Sequence, residues 1–368
     1  MSNKRELEGQ IRIPSGCAIS GIMNRKGQRF SGEDIIKSIA LMHDRSNGLG
    51  GGFAAYGIYP DYADFYALHL FFESQDCRIK AEEFLFAHFD IETSENIPTR
   101  KVPGIGPAPI IWRYFARPNQ EKLNKSGLNE AEYAMRCVMR INAEITGAFI
   151  ASSGKNMGAF KAVGYPEDVG AFYRLEEYSG YLWTAHGRFP TNTPGWWGGA
   201  HPFTLLDWSI VHNGEISSYG ANRRYLEMFG YVCALQTDTE AITYTFDYLL
   251  RRQGLPLDVA VEVVAAPFWS DIKLMDENKQ KRLKAIRGMY SSLLINGPFS
   301  IILGSQNGMM ALNDRMKLRS LVAAENGDYL YVASEESAIR EICPNPERVW
   351  SPRGGEPVIG LLEGVEKL

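Results

Sequence analysis

The chain has 368 residues, 45% hydrophobic and 22% charged, with 39 Lys and Arg against 43 Asp and Glu for a net charge of −4. Such a composition buries a sizeable core and excludes intrinsic disorder, collagen-like repeats and a disulfide miniprotein. Its slightly acidic balance gives no basic footprint for nucleic acid.

Taken in chain order, residues 1–16 hold Lys4, Arg5, Glu6, Glu8 and Arg12 and no apolar stretch. They are no secretory signal and read as a polar leader ending Pro14-Ser15-Gly16. Residues 17–24 (CAISGIMN) predict a short buried strand that begins at a cysteine. Ser31 with Asp34 suggests a capping box for a helix carrying Ile35, Ile36, Ile39 and Ala40 and ending near His43. The glycine run 48–52 reads as a flexible loop; it fails the dinucleotide pattern because Phe53 takes the last position. Strands follow at 53–59 and 64–71, then helices at 78–89 and 129–145 on either side of a strand at 109–116. Further strands are predicted at 147–152, 158–163, 180–187 and 208–213, with a loop at 190–202 rich in Pro, Gly, Thr and Trp. Helices are expected at 220–229, 239–252, 256–266 and 276–290, and strands at 299–304, 308–312, 320–325 and 329–334. Asn326-Gly327 reads as a type I′ hairpin turn between the final pair. Strands at both ends with helical blocks between them predict a layered α+β fold, one elaborated domain over 17–368.

The longest uncharged stretch towards the C-terminal end, 289–313, is broken by Asn296-Gly297-Pro298 and by 305–308, so no membrane span is expected. Cysteines at 17, 77, 137, 233 and 343 lie too far apart for a CxxC metal pair or a disulfide framework, so no metal is expected and the default setting is reducing and cytoplasmic.

Chemistry concentrates where His186, His201 and His212 fall close together, within HGRFPTNT (186–193), AHPF (200–203) and HNGE (212–215), with TDTE (237–240) soon after. Each has a plain structural reading: HNGE as an Asn-Gly turn, His186 as a core histidine, TDTE as a helix N-cap. Cys17 on an apolar strand reads first as inert packing. If the leader were removed, however, Cys17 would carry a free α-amine, a group that ordinarily titrates near pH ~8 and could serve as base to its own thiol.

The order of these segments along the chain, with His43-Asp44-Arg45 between the cysteine and HGRFPTNT, resembles the class II glutamine amidotransferases, closest to the glutaminase domain of glutamate synthase. RFPTNTPGWWGGAHPF followed by HNGEI carries the likeness, as does the segment from Gly297 to Ile339; it is weak over 72–178, which reads as an insertion. The resemblance implies a four-layer αββα sandwich of the N-terminal nucleophile hydrolase type. It also implies Cys17 as nucleophile, Asn213 and Gly214 as oxyanion hole, and Arg188 and Asp238 as clamps on the carboxylate and ammonium of L-glutamine. Phe189 and Thr191 would line the same pocket. Arg45 would sit near the nucleophile, although His-Asp-Arg departs from the family's His-Arg-Gly. Ammonia would pass to a separate synthase subunit, with no cofactor in this chain and any flavin (FMN) or iron–sulfur (Fe-S) group on that partner. Rival expectations are the same fold feeding another synthase, such as one making an N-methylated amino acid, and a non-catalytic subunit that keeps its leader.

Overall fold

Fully buried strands dictate the architecture. Ala18–Asn24, Gly51–Tyr56, Met157–Ala162 and Leu182–Gly187 are buried at every position, which requires a sheet covered on both faces. The computed structural model, which describes residues 16–190 and 195–368, supplies both covers. These four strands join Tyr329–Ala333, Val322–Asn326 and Arg348–Trp350 in a seven-stranded sheet with Ala18–Asn24 in the middle. A second sheet of five strands runs Phe203–Leu205, Trp208–Gly214, Phe299–Ser305, Gly308–Asn313 and Val358–Leu361. The two face each other across a core that includes Ile19, Met23, Leu182, Val211, Ile302 and Met309. Helices Glu33–Ala40, Pro166–Phe172 and Glu336–Ile342 pack on the first sheet, and Asp238–Phe246 packs on the second. The result is the expected αββα sandwich.

A further four-stranded sheet, ordered Phe89–Asn96, Ile110–Pro118, Tyr66–Phe72, Ala148–Ser152, adjoins it with helices Gln75–His88 and Glu130–Glu144. Its bounds differ from 72–178: Tyr66–Phe72 belongs to it, whereas Met157–Ala162 pairs with Gly51–Tyr56 in the seven-stranded sheet. The sequence around 157–172 is apolar enough to be core, and core is where it lies.

Several local expectations shift. No capping box forms: Gly32 is the N-cap residue, and Ser31 pairs in a two-residue strand while donating to Glu176 O at 2.8 Å. The final hairpin turns on Gly327-Asp328, one residue later than expected, because Asn326 pairs with Tyr329. Only Gly327 has φ positive (+54°) there, the type II′ pattern in place of I′. Gly51 and Gly52 belong to a strand, and a Cβ on Gly52 would stand 2.2 Å from His201 O, so glycine there admits the loop that crosses the sheet. The leader expected at 1–16 lies, Gly16 apart, outside the described residues, as does Thr191. No helix among the described residues is long and apolar enough to cross a membrane.

Candidate active site

Two strand ends and one helix start converge on a single cavity. Cys17 immediately precedes its strand, and the antiparallel register that pairs Ala18 with Gly187, carried one step further, sets it across from Arg188. Phe189 N donates to Cys17 Sγ at 3.3 Å. From the second sheet, Trp208–Gly214 ends in Asn213 and Gly214. The third contributor is helix Asp238–Phe246, capped by Thr237, whose hydroxyl accepts from Glu240 N at 3.1 Å. Cys17, Arg188, Phe189, Asn213, Gly214 and Asp238 all line a cavity of about 540 Å³.

Asn213 is 0% exposed, yet neither its Oδ1 nor its Nδ2 has a partner. A buried carboxamide left so is costly unless a ligand completes it. Gly214 (φ +154°) could carry no side chain: a Cβ would lie 2.0 Å from Pro298 O. Glycine at 214 thus admits Pro298 and Phe299 at the start of the neighbouring strand, beside the unpartnered Asn213 amide at the cavity wall. Asp238 is held from the protein side, its Oδ2 accepting from Ile216 N at 3.1 Å and its Oδ1 from the Thr239 hydroxyl at 3.3 Å. Arg45 lies beside Cys17 and is not among the cavity-lining residues: its Nε donates to Cys17 O at 3.2 Å, and its Nη1 pairs with Glu335 at 2.9 Å. It fixes the main chain of the cysteine.

Burial pushes the Cys17 thiol up, while the Phe189 N–H and the charges of Arg188 and Arg319 pull it back and Asp238 pushes it further up. Burial also disfavours the charged form of Arg188, opposed by Cys17 and Asp238. On the cavity's own wall, Thr239 Oγ1 lies 2.8 Å from His201 Nε2 and 3.0 Å from His212 Nδ1, and behind them His186 Nε2 donates to His212 O at 2.8 Å. Burial holds all three imidazoles neutral, lowering His186 to about 3 and His201 and His212 below the usual histidine range. Deeper still, burial lowers Lys161 to about 7 and raises Glu240 to about 7. The Lys161 ammonium donates to Gly198 O at 3.1 Å, tying down the loop after Trp197.

Sequence reasoning missed Arg319 and Thr239. Thr239 sits inside TDTE but signals only a cap, and Arg319 stands alone in a loop with no motif. Only folding brings each to the site. Among the described residues no group of three or more His, Cys, Asp or Glu is arranged to hold a metal.

Residues 104–230, a span with Arg188, Phe189, Asn213 and Gly214, match the family described as "Glutamine amidotransferases class-II". An uncharacterized protein of Archaeoglobus fulgidus is 52% identical over 354 residues, 95% of this chain and 93% of its own length. A Methanothermobacter thermautotrophicus protein, provisionally named a glutamine amidotransferase, is 26% identical over 337 residues, 90% of this chain and 95% of its own. Among solved structures, the glutamine phosphoribosylpyrophosphate amidotransferase from B. subtilis, complexed with ADP and GMP, aligns at 15% identity and a TM-score of 0.49. That alignment covers 96% of this chain and 49% of the solved one.

Proposed function

We propose that the chain, which matches the class II glutamine amidotransferases over residues 104–230, is a glutaminase subunit of that family, hydrolysing L-glutamine to glutamate and ammonia and passing the ammonia to a separate glutamate synthase-like subunit. The observation that carries this reading is the meeting, in one cavity, of a thiol, a cation, a carboxylate and a buried asparagine amide with no partner.

On this reading the Gly16–Cys17 peptide bond is first hydrolysed. The freed α-amine then takes the Cys17 thiol proton, and the thiolate attacks the glutamine side-chain carbonyl carbon. Asn213 Nδ2–H and the Gly214 N–H receive the developing oxyanion, one such donor being worth about 3 kcal/mol of barrier. As the C–N bond breaks, the α-ammonium returns its proton to the leaving nitrogen, which departs as ammonia. Water, deprotonated by the same amine, cleaves the thioester and releases glutamate. Arg188 holds the substrate α-carboxylate in a planar, two-pronged grip that Lys reproduces poorly. Asp238 faces the α-ammonium, and Phe189 flanks the pocket. Reading both ends of the zwitterion selects free glutamine over amides in general. Flavin and iron–sulfur chemistry belongs, in this proposal, to the partner.

The test is a glutaminase assay on the processed chain and on Cys17→Ser. The variant is expected to lose ammonia release and labelling by a glutamine-like electrophile; unchanged turnover removes the mechanism. Purification with the native partner then identifies the acceptor, and a co-purifying synthase other than the glutamate synthase type would replace that part of the proposal.

A further inference from the structure

We propose that Arg319 is a further positioning residue of this site, whose guanidinium holds the nitrogen of Cys17, once released from Gly16, as a neutral amine ready to accept the thiol proton. This rests on the reading given under Proposed function and concerns a residue outside every motif that supports it.

Arg319 emerges from a fixed loop. The Asp314 carboxylate accepts from Phe299 N at 3.2 Å, from Met316 N at 2.9 Å and from Leu318 N at 2.9 Å, so the turn after Gly308–Asn313 is tied to the second sheet. From there Arg319 Nη1 reaches to 3.3 Å from the point a Cβ on Gly16 would occupy. That point is three bonds from the nitrogen of Cys17. Arg45 Nη2 approaches the same point at 3.9 Å. The two guanidiniums differ in what surrounds them. Arg45 is neutralised by Glu335 at 2.9 Å and spends its Nε on Cys17 O. Arg319 forms no ion pair among the described residues, and its Nε is buried without a partner.

Cleavage before Cys17 turns an uncharged amide nitrogen into an amine. Protonated, that amine would stand as a second cation beside Arg319 in a half-buried pocket, which Coulomb repulsion disfavours. The same positive charge favours the thiolate of Cys17. The other charged and titratable groups facing the site leave this balance in place. Arg188, at the end of Leu182–Gly187, adds positive charge, and His212 is kept neutral by burial. Glu335 is committed to Arg45, Glu215 is exposed at the rim, and Asp238 is engaged by the substrate ammonium in the proposed complex. Arg319 thereby lets one residue act as nucleophile and base near neutral pH.

The test uses the processed chain with Arg319→Met and Arg319→Lys. Two rates are followed from about pH 5 to about pH 9, a window spanning the α-amine and thiol range: alkylation of Cys17 by iodoacetamide, read by mass, and kcat/KM for glutamine. Arg319→Met is expected to move the acidic limb of both upward by about one pH unit, with the rate regained at alkaline pH, since one charge at this range is worth at least about 1 kcal/mol. Arg319→Lys is expected to restore the wild-type profile. Should Arg319→Met not fold, Arg319→Gln gives the same comparison. An unmoved limb overturns the proposal, and an unmoved limb with a raised KM reassigns Arg319 as a carboxylate clamp. Failure of the wild-type chain to hydrolyse glutamine when processed would instead overturn the reading on which this rests.

Discussion

Two polar clusters in this molecule share arginine and aspartate yet are arranged in opposite ways. In one, away from the cavity, Arg251 grips Asp247 with two bonds at 2.6 and 2.7 Å, Tyr231 donates to Asp247 at 2.6 Å, and Glu132 receives Arg251 at 3.2 Å and Arg252 at 3.0 Å. Two carboxylates meet two guanidiniums, and the network joins the helix Glu130–Glu144 of the extra sheet to the turn Asp247–Arg252 that continues the Asp238 helix. At the cavity, by contrast, the Asn213 amide and the Arg319 Nε face the lining buried and without a partner among the described residues. Charges that close on one another hold structure, while groups held apart around a cavity are available to a ligand. This contrast separates the site from the scaffold without appeal to any motif.

The contrast can be broken by substitution. The largest effect is expected in the closed network: Glu132→Gln leaves Arg252 without its carboxylate, Arg251 keeping Asp247, and should lower unfolding free energy by about 3 kcal/mol while leaving the glutamine KM unchanged. Urea unfolding and steady-state kinetics check both halves. Asn213→Ala should do the reverse, lowering kcat by about 10²-fold or more with little change in stability, since an oxyanion donor acts only in the transition state. Asp238→Asn is next. It keeps the shape but loses the charge, and should raise KM by about tenfold or more, the worth of a hydrogen bond to a charged group; an unaltered KM would show the clamp to be misassigned. The smallest expected effect concerns pH and His186, the neutral histidine outside the cavity lining. A folded-state pKa of about 3 for His186, against 6.5 when unfolded, means that the unfolded chain binds the extra proton between those values. The stability contributed is therefore present above pH 6.5 and lost as pH falls towards 3. His186→Asn should flatten the decline between about pH 6.5 and pH 5 by up to about 2 kcal/mol, measured by denaturant titration at both pH values.

Much of this was legible in the sequence because it was local or ordered. Strand Ala18–Asn24 shows its burial in an uncharged, mostly apolar run, helix Glu277–Tyr290 shows its periodicity, and the motif order brings Cys17, Arg188, Asn213 and Asp238 to one place although 221 positions separate the first from the last. What stayed hidden depended on tertiary contacts. Ser31 has the spacing of a cap, but pairing with Ser179 draws it into a strand. The run 48–52 reads as loop because nothing local reveals that the carbonyl of His201 will press against Gly52. Arg45 is expected near the nucleophile from chain order, but nothing local shows that Glu335, 290 positions away, will hold it against the main chain of Cys17. Arg319 is one arginine among many until the fold sets it beside Gly16.

The mechanism stands on a single event, scission of the bond between Gly16 and Cys17. Its most direct test is the intact mass of the chains that release ammonia, taken with and without a glutamine-like electrophile. The mechanism predicts that active chains begin at Cys17 and gain the electrophile's mass on that residue alone. Ammonia release at full rate by chains that still carry residues 1–16 would contradict it.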